Sequence, residues 1–165
     1  MTEMTEILDF LLPEGEIFIS VDKSGNEEIT MSGPDCVDLP FVVLVDRYSF
    51  SAAEYFAATL REYGRAEIVG EQTTGKNRVQ STLLLPGGGA VHISTNRYLT
   101  KDRVSLYETG GITPDYPVDL TDEEFSLFAA GELGSDSDAQ IQMALARLES
   151  ILQNQVILPP LQVVA

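Results

Sequence analysis

The run Phe41-Val42-Val43-Leu44-Val45, followed at once by Asp46-Arg47-Tyr48-Ser49-Phe50, constrains this chain more than any other stretch. The run is short, apolar and uninterrupted, which predicts a strand covered on both faces. Ala53, Phe56, Ala57, Leu60 and Tyr63 or Gly64 then recur at three-to-four spacing, the stripe of an amphipathic helix that starts near Ser51. Gly64 suits a left-handed C-cap, and Ala66-Glu67-Ile68-Val69 reads as a second strand. Strand, helix and strand predict a β-α-β unit, and such crossovers are almost always right-handed. Its two strand-ending connections lie at one end of the sheet. Ser51 at the helix entry and Lys76 in the loop Gly70-Glu71-Gln72-Thr73-Thr74-Gly75-Lys76 can therefore meet there.

The rest of the chain reads as additions to that unit. Glu3 to Leu12 predicts a short helix stopped by Pro13, and Glu16 to Val21 a strand. The cluster Asp22-Lys23-Ser24-Gly25-Asn26 predicts a turn, with Glu27 to Met31 returning as a strand. Val79 to Leu85 and Ala90 to Leu99 flank Pro86-Gly87-Gly88-Gly89 and predict a hairpin. Gly110 to Asp115 reads as a rigid loop. Thr121 with Glu124 forms a capping box for a short helix holding Phe125 and Phe128. From Asp138 the positions Ile141, Ala144, Leu145, Leu148 and Leu152 describe the most regular amphipathic helix, and the tail from Val156 is apolar. The 165 residues suit one α/β domain, with an N-terminal helix and strands over 1–40, a serine and lysine core over 41–120, helices over 121–152 and a tail over 153–165. That tail ends Leu161-Gln162-Val163-Val164-Ala165 and is expected to pack on its own core or on a second copy of the chain, a homo-oligomer.

The net charge of −16 argues against nucleic acid and anionic membrane as partners, since both ask for clustered Lys and Arg. No run approaches the roughly 18 apolar residues of a membrane span, and the first residues are too acidic for a signal peptide. Cys36 stands alone, so no internal disulfide forms. No His, Cys and Asp cluster has metal-ligand spacing.

Ser51-Ala52-Ala53-Glu54 also matches the capping-box pattern, a purely structural account of the serine. A helix entry exposes free N–H groups, so a hydroxyl there can equally be a nucleophile beside ready oxyanion donors. Ser49 is a rival nucleophile expected to face the turn. A lysine acting as general base must shed its proton, which for an ordinary ammonium group asks roughly 4–5 kcal/mol of bias. Burial and a nearby cation supply such bias, whereas a carboxylate opposes it. Glu71 is the only acid close in sequence, and Gln80 could orient the amine without restoring its proton. Residues 70–76 also fit the phosphate-loop pattern. However, Asn77 stands where that pattern needs Ser or Thr, and a strand follows instead of a helix. His92, the single histidine, sits between Val91 and Ile93 in a strand and reads as a half-exposed strand residue rather than a triad member.

Leu39 to Glu54 and Tyr63 to Gln80, with Arg97-Tyr98 and Gly111-Ile112-Thr113-Pro114-Asp115 in the same order, resemble the C-terminal processing (tail-specific) serine peptidases. The resemblance implies a crotonase-like (ClpP/crotonase) β-β-α spiral core and a serine endopeptidase with a Ser-Lys dyad. By position it makes Ser51 the nucleophile, Lys76 the general base, Gln80 the residue orienting Lys76, and the Ala52 backbone N–H an oxyanion donor. It implies polypeptide C-termini as substrates, no cofactor, and a parent protein in the cell envelope or otherwise outside the cytoplasm. The family often has Asn-Gly-Gly where Asp46-Arg47-Tyr48 stand and a small residue in place of Phe50, so a different site rim is expected. The family core also begins with a Gly-rich segment carrying a second oxyanion donor, and includes a PDZ domain. This chain is therefore expected to be a piece of a longer protein, incomplete at its N-terminal side, without the PDZ domain and weakly active or inactive alone. The alternative is a non-catalytic peptide-binding or assembly module with a vestigial dyad.

Overall fold

The computed structural model describes residues 2–157, with side chains to residue 154, so the end of the apolar tail lies outside the described residues. Within them the chain forms a mixed α/β fold of two sheets. Helix α1 (Thr2–Leu11) is followed by β1 (Gly15–Val21) and β2 (Glu27–Ser32), an antiparallel pair closed by the Asp22 turn. The central unit is β3 (Phe41–Val45), α2 (Ala52–Glu62) and β4 (Ala66–Gly70). The hairpin β5 (Arg78–Leu84) and β6 (Ala90–Leu99) comes next, then β7 (Tyr116–Pro117), α3 (Asp122–Ala130) and α4 (Ala139–Ile157). The antiparallel sheet has the order β2-β1-β6-β5, and the parallel sheet β3-β4-β7.

Parallel pairing of Phe41 with Ala66 through Val45 with Gly70 sends both connections to one end of the smaller sheet, as the β-α-β pattern requires. The largest core cluster joins Met4, Leu8 and Leu12 to Ile17, Tyr55, Leu60 and Tyr98, so α1, α2 and the antiparallel sheet share one interior. A second cluster holds Val45, Ala57, Ala58 and Ile68 with Leu106 and Ile112 from the later loops.

Three expectations are corrected. The β3 strand is not covered on both faces: Phe41, Val42 and Val43 are half-buried, Leu44 is 43 % exposed, and only Val45 is buried. It lies at the edge of its sheet, and α4 covers it only in part, leaving Leu145 and Leu152 about as exposed as Leu44. The α4 stripe is thus a loosely covered seam. In α2, Ala53 faces outward while Glu54 and Tyr55 are fully buried, because each finds polar partners inside. Tyr55 donates from its hydroxyl to Leu99 O at 3.0 Å.

The Gly110 to Asp115 loop is held against the lysine loop. Thr73 N–H donates to Ile112 O at 3.2 Å, and Ile112 N–H donates to Thr73 Oγ1 at 2.7 Å. Gly111 has φ 95°, and a Cβ there would lie 2.5 Å from Thr73 O. Gly131 also has positive φ (72°) but open space around it. Gly111→Ala is expected to cost about 2–4 kcal/mol, strain plus backbone overlap. Gly131→Ala is expected to cost about 1–2 kcal/mol, from strain alone. Urea denaturation midpoints compare the two, and equal losses would refute the tight loop contact.

Candidate active site

Ser51 precedes α2 with φ 59° and ψ −119°. Among the described non-glycine residues only Arg103 shares a positive φ. Such a backbone costs on the order of 1–3 kcal/mol and persists only where its surroundings hold it. The predicted capping box is present, its two halves unequal. Ser51 N–H donates to Glu54 Oε2 at 2.9 Å, while the Glu54 N–H faces the serine side chain without closing a full hydrogen bond to it. The hydroxyl is thus only loosely held by the cap. Ala52 N–H, the first donor of the helix, has no partner among the described residues, as helix entries leave it.

Glu54 joins the serine turn to the lysine loop. It is completely buried. Besides Ser51 N–H, it accepts from Thr73 Oγ1 at 2.5 Å, Gly75 N–H at 2.6 Å and Lys76 N–H at 2.9 Å. Four donors on one carboxylate place two loops 25 residues apart in a common frame. A second link is Tyr98, whose hydroxyl bridges Ser51 Oγ (3.3 Å) and the Lys76 carbonyl. The tyrosine has one proton and the carbonyl can only accept, so the phenol oxygen is left to accept from the Ser51 hydroxyl. Burial pushes the Tyr98 phenol above its ordinary pKa, which keeps that proton in place.

A third link is ionic. Arg47 donates from Nε and Nη2 to Glu71, both at 2.7 Å, and Leu120 N–H adds to the same carboxylate. The guanidinium holds the Glu71 carboxyl below its usual range. Glu71, the acid nearest to the lysine in sequence, is thus directed at Arg47. Tyr48 stacks on Phe125 of α3 with ring centroids 5.4 Å apart, fixing the outer side of the serine turn.

Lys76 is half-buried. Its Nζ lies 3.5 Å from Gln80 Oε1, the outer limit of a hydrogen bond, and 5.5 Å from the centre of the Phe50 ring. Ser51, Ala52, Lys76 and Gln80 therefore gather at one end of the fold. Among the described residues, however, no hydrogen bond joins Ser51 Oγ to Lys76 Nζ; the hydroxyl meets Tyr98 and the amine meets Gln80. Catalytic hydrogen bonds are often loose before substrate arrives.

The rivals fall elsewhere. Ser49 Oγ donates to Asp46 Oδ1 at 2.8 Å and stays within its turn. His92 is exposed and contacts Thr82 Oγ1 at 2.9 Å, five residues from Arg97, which is roughly 16 Å along the strand. The phosphate-loop reading fails on its donors. The N–H groups of Thr73, Thr74, Gly75 and Lys76 are spent on Ile112 O, Ser49 O and Glu54, and the strand β5 follows. Among the described residues no His, Cys, Asp and Glu group could hold a metal ion.

Sequence reasoning missed Glu54 as a clamp and Tyr98 as a bridge. The first was visible as the third helical residue of the capping box, but nothing in the pattern showed its second oxygen reaching another loop. The second stood in the Arg97-Tyr98 signature without a role.

The profile of peptidase family S41 matches residues 1–118. The carboxyl-terminal-processing protease of Synechocystis sp. is 35% identical over 141 residues, covering 85% of this chain and 32% of that protein. The chloroplastic carboxyl-terminal-processing peptidase 2 of Arabidopsis thaliana is 33% identical over 119 residues, 70% of this chain and 23% of that protein. The solved photosystem II D1 C-terminal processing protease superposes with a TM-score of 0.66 at 29% identity, over 72% of this chain and 31% of that one. The chain thus spans a third or less of the length of these relatives. Among the described residues no helix is long and apolar enough to cross a membrane.

Proposed function

Since the chain belongs to peptidase family S41, a family of serine-type C-terminal processing peptidases, we propose that it carries the chemical centre of a serine endopeptidase acting near polypeptide C-termini. Ser51 Oγ attacks the scissile carbonyl and Lys76 takes its proton. The tetrahedral oxyanion is met by Ala52 N–H at the positive end of α2. Collapse to the acyl-enzyme expels the leaving amine, which receives the proton from Lys76. Water then attacks the ester with Lys76 again as base, and Ser51 is regenerated. Gln80 holds the lysine amine between these transfers. The scaffold is a crotonase-like spiral, and the family likeness adds a second oxyanion donor from a Gly-rich segment. Loss of either donor typically costs about 100- to 1,000-fold in rate. By the same family likeness the protein works outside the cytoplasm.

The observation that carries this reading is Ser51 itself: a strained serine at a helix entry, its hydroxyl only loosely capped, tied through Glu54 and Tyr98 to the lysine loop. A fluorophosphonate, which phosphonylates activated serines, is expected to add one label per chain by intact mass. The label should vanish in Ser51→Ala and persist in Ser49→Ala. Labelling that survives Ser51→Ala would refute the assignment. The Lys76 amine near Gln80 and Phe50, rather than on Ser51 Oγ, favours one alternative, a peptide-binding or assembly module whose dyad does not turn over. An unlabelled full-length protein that still binds peptides would favour that alternative.

A further inference from the structure

The chain has 10 basic residues against 26 acidic ones. Six of the ten, Arg47, Arg61, Arg65, Lys101, Arg103 and Arg147, stand in ion pairs. The other four are Lys23, Lys76, Arg78 and Arg97, and none of them has an acidic partner among the described residues. With acids in such excess, four unneutralised cations would be expected to scatter. Instead Lys23, Arg78 and Arg97 line one open cleft of about 560 Å³, between the β1–β2 turn and the adjoining ends of β5 and β6. Lys76 lies two residues from Arg78.

Arg78 and Arg97 are direct cross-strand partners. Like charges placed opposite one another destabilise a strand pair, so the arrangement works against folding unless an anion joins it. The acid within the cleft is turned away from that task. Asp22 accepts from Ser24 N–H, Asn26 N–H and Asn26 Nδ2 at 2.7–2.9 Å, closing its own turn. What remains is a positive concavity on a strongly negative protein, which focuses field on an incoming anion.

Position relative to the proposed chemistry identifies the anion's source, and here the inference rests on the Ser51 and Lys76 reading. A base that hands its proton to the leaving amine stands on the leaving-group side of the scissile bond. The cleft begins at Arg78, the first residue of β5 and two residues past that lysine, about 7 Å of extended chain. It lies on the sheet face opposite Tyr98, so a polypeptide leaving the site reaches it around β5, the edge strand. The substrate segment reaching it is therefore the one that runs to the C-terminus. We infer that the Lys23, Arg78 and Arg97 cleft binds a carboxylate of the polypeptide on the leaving-group side. That carboxylate is either the terminal one or an Asp or Glu side chain, about two to five residues past the cleaved bond. The two guanidinium forks can each meet a carboxylate in bidentate fashion.

Fluorescence anisotropy with the Ser51→Ala chain tests this without turnover. The probes are labelled peptides of one sequence ending in a free carboxylate or in an amide, and a third with an internal Asp and an amidated end. The free-acid peptide is expected to bind about tenfold more tightly than its amide, the lower end of a charge-assisted hydrogen bond. The advantage should vanish in Arg78→Gln/Arg97→Gln and shrink in Lys23→Gln, with thermal melts recording that each variant is folded. Should the double variant fail to fold, Lys23→Gln alone decides, and an undiminished preference there overturns the inference. Recovery of affinity by the internal Asp assigns the site to side chains, and its absence to the terminal carboxylate. Indistinguishable affinities for acid and amide, including no binding by either, overturn the inference, as does a preference that survives the double variant. Failed hydrolysis with carboxylate preference intact would remove only the dyad, and hydrolysis without preference only this cleft.

Discussion

Lys76→Ala, and the better-matched Lys76→Met, are expected to lower peptide hydrolysis by the full-length protein about 100- to 10,000-fold, the span of general-base contributions. The loss should appear in kcat with KM little changed, because the amine acts on the Ser51 proton rather than on substrate binding groups. Folding should be unaffected. The Lys76 side chain contributes one long hydrogen bond and one contact with the exposed Phe50 ring, and exposed contacts of this kind are worth little. Ser51→Ala should be equally damaging, and the double variant no worse than either single one, since nucleophile and base work as one unit. Steady-state kinetics on an unstructured C-terminal substrate reads all three. Hydrolysis within a factor of about three of wild type in Lys76→Met would remove lysine from the mechanism.

Glu54→Gln should be nearly as damaging to activity, and unlike Lys76→Met it should also damage stability. The carboxylate is wholly enclosed and receives four donors, two on each oxygen. An amide keeps one acceptor oxygen and turns an NH2 group toward the other pair of donors. Orphaning two buried donors costs about 1–3 kcal/mol each. The expected loss of about 3–5 kcal/mol is a large share of the roughly 5–15 kcal/mol that holds a domain folded. Hydrolysis should fall because Ser51 N–H and Lys76 N–H lose their shared anchor on Oε2. Chemical denaturation together with hydrolysis by the fraction still folded separates the two effects. A variant within about 0.5 kcal/mol of wild type would show that the clamp is not what holds the site.

The strands, the short helices and the hairpin were legible because their signals are local. Alternation in Ile17, Ile19 and Val21, the Thr121 and Glu124 capping box, and Gly64 after α2 each act within a few residues. The antiparallel and parallel pairings follow from connection length in the same way. The two-sided burial expected of β3 failed because hydropathy reports how apolar a strand is, not whether a neighbour covers it. In α2 the stripe was displaced because a carboxylate counts as outward-facing until its donors are known. All of them except Ser51 come from a loop beyond the next strand.

The residues themselves determined the order of elements, the parallel β3 and β4 pair, and hence that Ser51 and Lys76 would share one end of a sheet. These are consequences of short-range sterics and of where a β-α-β connection must emerge. Folding in three dimensions decided the rest: that one buried acid fastens serine turn to lysine loop, that a tyrosine from β6 occupies the serine hydroxyl, and that three unpaired cations line one cleft. Side-chain interactions there fall off within a few ångströms, while the groups that make them lie tens of residues apart, so no window along the chain contains them together.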